Sequence, residues 1–78
     1  MLLVYPNPAS NQVTVKMMVK VKGIRVYNMI GELVTEKSVM EGEELLQLDV
    51  QDWRTAIYHI QLYNEDRIIA NKILNVVR

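Results

Sequence analysis

Few side chains in this 78-residue chain could do chemistry, and their placement argues against most of it. The single histidine, His59, falls on the polar phase of an alternating run, and there is no cysteine for it to activate. Ser10 and Ser38 lie beside turns, and no pattern joins either to His59 as a nucleophile and its base. His59 therefore reads as a solvent-facing strand residue rather than a metal ligand. Carboxylates gather as Glu41/Glu43/Glu44, Asp49/Asp52 and Glu65/Asp66. Each group sits in or beside a turn, where acidic side chains cap backbone donors and keep sheet edges soluble. A calcium ion at one of these loops is the sharper alternative, but no EF-hand loop, phosphate-cradling glycine loop or dinucleotide fingerprint is present. The chain is not expected to be an enzyme, to bind a metal or to carry a cofactor.

The aromatic and basic residues invite binding chemistry instead. Tyr5, Tyr27, Tyr58, Tyr63 and Trp53 could stack on a sugar ring. Tyr58 lies in an apolar phase, however, and Trp53 occupies a corner between strands, so packing is the plainer reading. Lys16, Lys20 and Lys22 alternate with Val and Met and read as the solvated face of a strand, with a phosphate- or glycan-attracting stripe as the alternative. Nine basic and nine acidic residues cancel. A neutral surface of mixed sign has no electrostatic footprint for nucleic acid or an anionic membrane. No apolar run approaches the roughly 18 residues that span a bilayer. Met1-Leu2-Leu3-Val4 lacks the basic and apolar regions of a signal peptide, so any export signal is expected in upstream sequence, with residues 1–78 forming one domain of a larger precursor.

The elements that must position these groups are strands. Val13, Val15, Met17, Val19 and Val21 occupy odd positions against Gln12, Thr14, Lys16, Lys20 and Lys22 on even ones, the period of a half-buried strand. A reversal is expected near Met17-Met18, although no strong turn residue marks it. Gly23 resets the phase, and Ile24 and Val26 alternate with Arg25 and Tyr27. Asn28-Met29-Ile30-Gly31-Glu32 is a turn with Gly31 free to take positive φ. Leu33 to Ser38 follows as a strand, then a turn at Glu41-Gly42-Glu43 and alternation over Leu46, Leu48 and Val50. Asp52-Trp53-Arg54-Thr55 makes a corner before Tyr58, Ile60 and Leu62. Asn64-Glu65-Asp66 turns the chain into a final stretch, Arg67 to Arg78. There, Ile68-Ile69 and Ile73-Leu74 put apolar groups on both faces, as a bulge or a strand covered on both sides would. About seven short strands spaced by about ten residues predict an all-β fold, a small Ig-like β-sandwich of antiparallel strands.

The tightest local constraint is Tyr5-Pro6-Asn7-Pro8. Two prolines flanking an asparagine fix φ and remove donors, so neither a helix nor a central strand can run through them, and a rigid bend is expected. With its successors this box resembles the C-terminal sorting domain of type IX secretion substrates from Bacteroidetes. Such domains open on a Tyr-Pro-Asn-Pro box followed by a strand like Asn11-Gln12-Val13-Thr14-Val15. Ile24 to Val34 matches their strand that ends in a glycine turn. Trp53-Arg54-Thr55-Ala56-Ile57-Tyr58 matches a Leu-x-x-Gly-x-Tyr element, with Trp53 for leucine and Ala56 for glycine. Lys72-Ile73-Leu74-Asn75-Val76-Val77-Arg78 matches the basic-hydrophobic terminal strand. The resemblance covers essentially the whole chain.

That resemblance implies a detachable address label. The precursor would cross the inner membrane on its own signal peptide and pass through the periplasm. An outer-membrane translocon would recognise the folded label, and a sortase-like surface peptidase would remove it, with attachment of the passenger to anionic lipopolysaccharide. The passenger would lie N-terminal to this domain. Lys72, Ile73, Leu74, Asn75, Val76, Val77 and Arg78 are the residues expected to carry translocon recognition, since an edge strand can add to a partner's sheet. Tyr5, Pro6, Asn7, Pro8, Gly31 and Tyr58 are expected to set the shape. Exposed edges also leave an edge-strand dimer open. The alternatives are an Ig-like adhesion or carbohydrate-binding module and a structural stalk that is never removed.

Overall fold

The computed structural model describes residues 2–78, folded as seven strands and no helix. They are β1 (Leu2–Tyr5), β2 (Gln12–Met17), β3 (Gly23–Tyr27), β4 (Leu33–Ser38), β5 (Leu45–Asp49), β6 (Ala56–Asn64) and β7 (Arg67–Val76). Two antiparallel sheets pack together, a three-stranded one in the order β1-β2-β5 and a four-stranded one in the order β4-β3-β6-β7. The expected small Ig-like sandwich is what forms.

Period-two patterning fills the space between the sheets. Val13 and Val15 of β2 face Ile24 and Val26 of β3, Ile60 and Leu62 of β6, and Leu74 and Val76 of β7, all essentially without solvent exposure. No polar or charged side chain is buried among the described residues. Removing this apolar surface from water supplies the cohesion, at about 1.5–3 kcal/mol for each fully buried aliphatic side chain.

Two expectations are corrected. β2 stops at Met17, where the reversal is expected, but the alternating residues after it form no strand: 18–22 are the connection to β3. Lys20 and Lys22 therefore sit on a loop and are not a strand face, because Val39 N–H pairs with the Lys22 carbonyl and Lys22 N–H with that of Tyr63, pulling the segment across the end of the sandwich. The seventh strand lies ahead of the proline box, where Leu2 and Val4 turn inward and pair with Met17 and Val15. The double-faced apolar stretch of β7 resolves as a bulge opposite Leu62 and Tyr63, which leaves Ile68 and Ile73 on the surface.

β4 is held almost wholly by its ladder to β3, since none of its side chains is buried. Its register has a second fastening on the outer face. Arg25 Nε donates to Glu36 Oε2 at 2.6 Å, the Arg25 guanidinium lies 3.9 Å above the Tyr63 ring, and Tyr63 Oη donates to the same Glu36 oxygen at 3.2 Å. The hydrogen bonds from Arg25 and Tyr63 hold the Glu36 carboxyl below its ordinary value. Tyr63 can lie this low only because Gly23 is beneath it: a Cβ there would come within 2.5 Å of Tyr63 Oη and 2.7 Å of the Lys37 carbonyl. Gly23→Ala should accordingly lower the stability of the sandwich by about 1–3 kcal/mol, read from the denaturant midpoint, as forced overpacking does. An unchanged midpoint would show that Tyr63 does not seat on Gly23.

Candidate functional site

The box after β1 has no ladder of its own. Pro6 and Pro8 carry no N–H and fix φ, so the main chain between them bends; both the Tyr5–Pro6 and Asn7–Pro8 bonds are cis. It bends onto the outer edge of β7. The Asn7 carboxamide reaches across with both of its ends: Nδ2 donates to the Ile73 carbonyl at 2.9 Å, and Oδ1 accepts from Asn75 N–H at 2.9 Å. Two residues on, Ala9 N–H donates to the Asn75 carbonyl and its own carbonyl accepts from Val77 N–H, both at 2.8 Å. That second pair makes Ala9 and Val76 a parallel bridge. The first pair has the same pattern one step earlier, with a side-chain amide in place of a peptide group. Asn7 thus carries the ladder past a point where two prolines stop the main chain from doing so.

The seam is closed at its far end by Arg78. Its Nη1 donates to the Ser10 carbonyl at 2.6 Å, its Nε to the Trp53 carbonyl at 2.9 Å and its Nη2 to the Val50 carbonyl, while Arg78 N–H donates to Thr55 Oγ1 at 3.1 Å. A guanidinium presents its donors as a planar fork, which suits three carbonyls converging from two segments, the end of the box and the β5–β6 corner. Tyr58 braces the same corner from inside. It is buried, its hydroxyl donates to the Arg54 carbonyl at 2.8 Å, and its ring lies 4.9 Å from that of Trp53 at 47°.

The residues singled out from the sequence separate into three groups here. Leu74 and Val76 point into the core. Lys72, Ile73, Asn75 and Val77 present exposed side chains, and the Arg78 guanidinium is engaged by internal carbonyls. Tyr5, Pro6, Asn7 and Pro8 are exposed along the seam, with the Asn7 amide bonded to β7. Gly31 takes no part. It lies in the β3–β4 turn, on the opposite edge of the four-stranded sheet, with φ of 88°. There Asn28 Oδ1 accepts from the Ile30 and Glu32 amides. Ala9 and the carbonyls of Ser10, Val50 and Trp53 were not expected in the site. Only the pairing of a carboxamide with two donor-less prolines could have announced such a seam.

Among the described residues no three His, Asp or Glu side chains are placed to hold a metal ion. A cleft of about 550 Å³ at the other end of the sandwich has a mixed lining, apolar from Met17, Met18, Val21 and Met40 and charged from Lys20, Lys22, Glu41 and Glu43. The aromatic residues form no common platform: Tyr58 is interior, Tyr63 covers Gly23, and Tyr5 belongs to the three-stranded sheet.

Compared with known proteins, residues 3–76 match the family model described as the secretion system C-terminal sorting domain. No curated protein and no solved structure matches the chain.

Asn7→Ala removes both side-chain bonds of the seam and should cost about 1–2 kcal/mol of stability, at the modest net value of partly exposed hydrogen bonds. Asn7→Asp is the sharper variant. A carboxylate can still accept from Asn75 N–H but faces the Ile73 carbonyl with no proton to give. Its folded pKa is therefore raised, so the loss stands above that pKa and is relieved as the pH falls and the carboxyl protonates. Thermal melts of the two variants across the acidic range check this, and a pH-independent difference between them would contradict the assigned bond to Ile73.

Proposed function

This chain belongs to the family of type IX secretion C-terminal sorting domains, and from that premise we propose that it is the removable address label of a larger exported precursor. The family is one of sorting signals rather than enzymes, and it marks secreted or cell-surface proteins that engage the type IX machinery. The passenger precedes β1, and an upstream signal peptide takes the precursor into the periplasm. The outer-membrane translocon then recognises the folded label through Lys72 to Arg78, and a sortase-like surface peptidase cuts ahead of it.

The family match across β1 to β7 carries this reading, and the surface of β7 supports it. Lys72, Ile73 and Asn75 are exposed on a strand whose Leu74 and Val76 anchor it in the core, and Val77 is exposed just beyond its end. A strand anchored in this way offers a partner a fixed pattern of side chains with little ordering cost. The domain is the substrate in both steps.

The test is a fusion of residues 1–78 to a periplasm-targeted reporter in a type IX-competent strain. Lys72→Glu combined with Ile73→Asp leaves the buried side chains intact and should lower surface delivery on the order of tenfold, the effect of about 1.4 kcal/mol of lost recognition. Removal of 72–78 should strand the reporter in the periplasm altogether. Delivery of that trimmed fusion to the surface would overturn the recognition role of the last strand. Mass spectrometry of the delivered reporter should show the domain gone, and a retained domain would overturn the cleavage step.

A further inference from the structure

We propose that residues 7–9 are an exchangeable strand: they occupy a seat on the outer edge of β7 that also accepts an extended peptide strand of the partner that recognises this domain, running parallel to β7. The proposal rests on the sorting function and adds the place and the manner of contact.

The seat is made of main chain. It presents, in order, the Ile73 carbonyl, the Asn75 amide, the Asn75 carbonyl and the Val77 amide. Groups of that kind are satisfied by any extended backbone, and they are the groups from which strand addition to a sheet edge draws its affinity. The present occupant fills the seat poorly. Only Ala9 contributes a parallel bridge by its backbone, and Asn7 substitutes a side chain for the next. One step further along the same edge lie the Ile73 amide and the Asn71 carbonyl, which take no partner from the box. A strand with an N–H at every residue pairs all of these groups and extends the ladder beyond the reach of a proline-bounded segment.

The occupant is also lightly fastened. Tyr5, Pro6, Asn7, Pro8, Ser10 and Asn11 are exposed, and the Ala9 methyl is the one side chain of the segment in the core. By contrast β7 pairs with β6 along its whole length from Asn64↔Arg67 to Ala56↔Val76. Lifting the box therefore leaves both sheets intact, and Arg78 keeps its bonds to the Val50 and Trp53 carbonyls when the one to Ser10 is lost. The seat also states what may enter. The residue facing Val76 is enclosed, with Ala9 only 2% exposed, so the incoming strand carries Ala, Gly or Ser there.

The chain has no cysteine, which allows a clean lock. Ala9 and Val76 are bridge partners on neighbouring strands, within the spacing a disulfide spans. In the reporter fusion, the oxidised A9C/V76C double variant should remain folded and be delivered on the order of tenfold less than either A9C or V76C alone, each single variant measuring the cost of its own side-chain change. Hydrogen exchange of the unlocked protein gives a second reading. The Asn75 and Val77 amides should exchange on the order of tenfold or more faster than Ile60, by local release of the box, and the lock should remove the difference. Delivery of the locked fusion at the rate of the single variants would overturn the exchange, as would Asn75 and Val77 amides as protected as the core. A dimer that forms at working concentration and disappears on locking would assign the seat to a second copy instead and equally overturn it. If the fusion trimmed of 72–78 still reaches the surface, the sorting role of β7 fails; if it is stranded but the locked fusion is delivered, only the exchange fails.

Discussion

A strand at the edge of a sheet carries a row of backbone donors and acceptors that must be paired, hydrated or hidden, and in this sandwich the edge of β7 decides how the two ends of the domain meet. The need is acute there because β7 is the longest strand and places Leu74 and Val76 in the core. Asn7 meets it with a carboxamide that behaves as a peptide group. Once Asn7 is bonded, Ala9 falls opposite Val76 and the Ser10 carbonyl falls within reach of Arg78. Arg78 in turn gathers the Val50 and Trp53 carbonyls of the β5–β6 corner, and Tyr58 holds the Arg54 carbonyl of that corner while standing opposite Leu74 on the neighbouring strand. The hydrogen bonds thus run in a closed circuit from β7 through the box and the corner back to β7.

Cohesion and specificity have different sources in this molecule. A chain of this length buries only about 60% of its unfolded surface, and no disulfide supplements the core. The apolar interior is uniform in character, mostly Val, Ile and Leu, and would tolerate several registers of the same strands. Polar fastenings at the edges fix one of them. Arg25, Glu36 and Tyr63 set β4 on β3 above Gly23, and Asn7 with Arg78 sets the box on β7. The exposed Glu36 and Lys37 on β4 have a further effect: they make that edge a poor template for stray pairing.

What could be read in advance follows the same division. Period-two patterning places Val13, Val15, Ile24, Val26, Ile60 and Leu62 in the core without ambiguity, because one face of each strand must be dry. The turns at Gly31 and Gly42, both at positive φ, are equally legible from residue type. Patterning failed at 18–22, where alternation persisted in a segment that tertiary pairing with Tyr63 and Val39 turned into a loop. It also passed over β1, since Leu2 to Tyr5 is too short to show a period. The seam was out of reach for a different reason. Asn7 and Asn75 stand 68 positions apart, and a side chain replacing a main-chain group leaves no periodic trace. The sequence shows that the box cannot continue a strand, yet not that it leans on one.

The oddity of the box lies in using prolines to cover an edge at all, since a strand of ordinary residues would pair with β7 more completely. Complete pairing would make that edge permanent interior. Leaving it bare would expose a sticky row of amides and carbonyls on a domain whose family travels through a secretion system. Pro6 and Pro8 produce the intermediate condition: the edge is satisfied from Ile73 to Val77 by one side-chain amide and one residue of backbone, and by little buried surface. Such a cover protects against weak, accidental pairing, because every displaced bond must be replaced. It yields only to a strand that replaces all of them and adds more. Discrimination then comes from the completeness of the incoming ladder rather than from the identity of its side chains, apart from the small residue required opposite Val76.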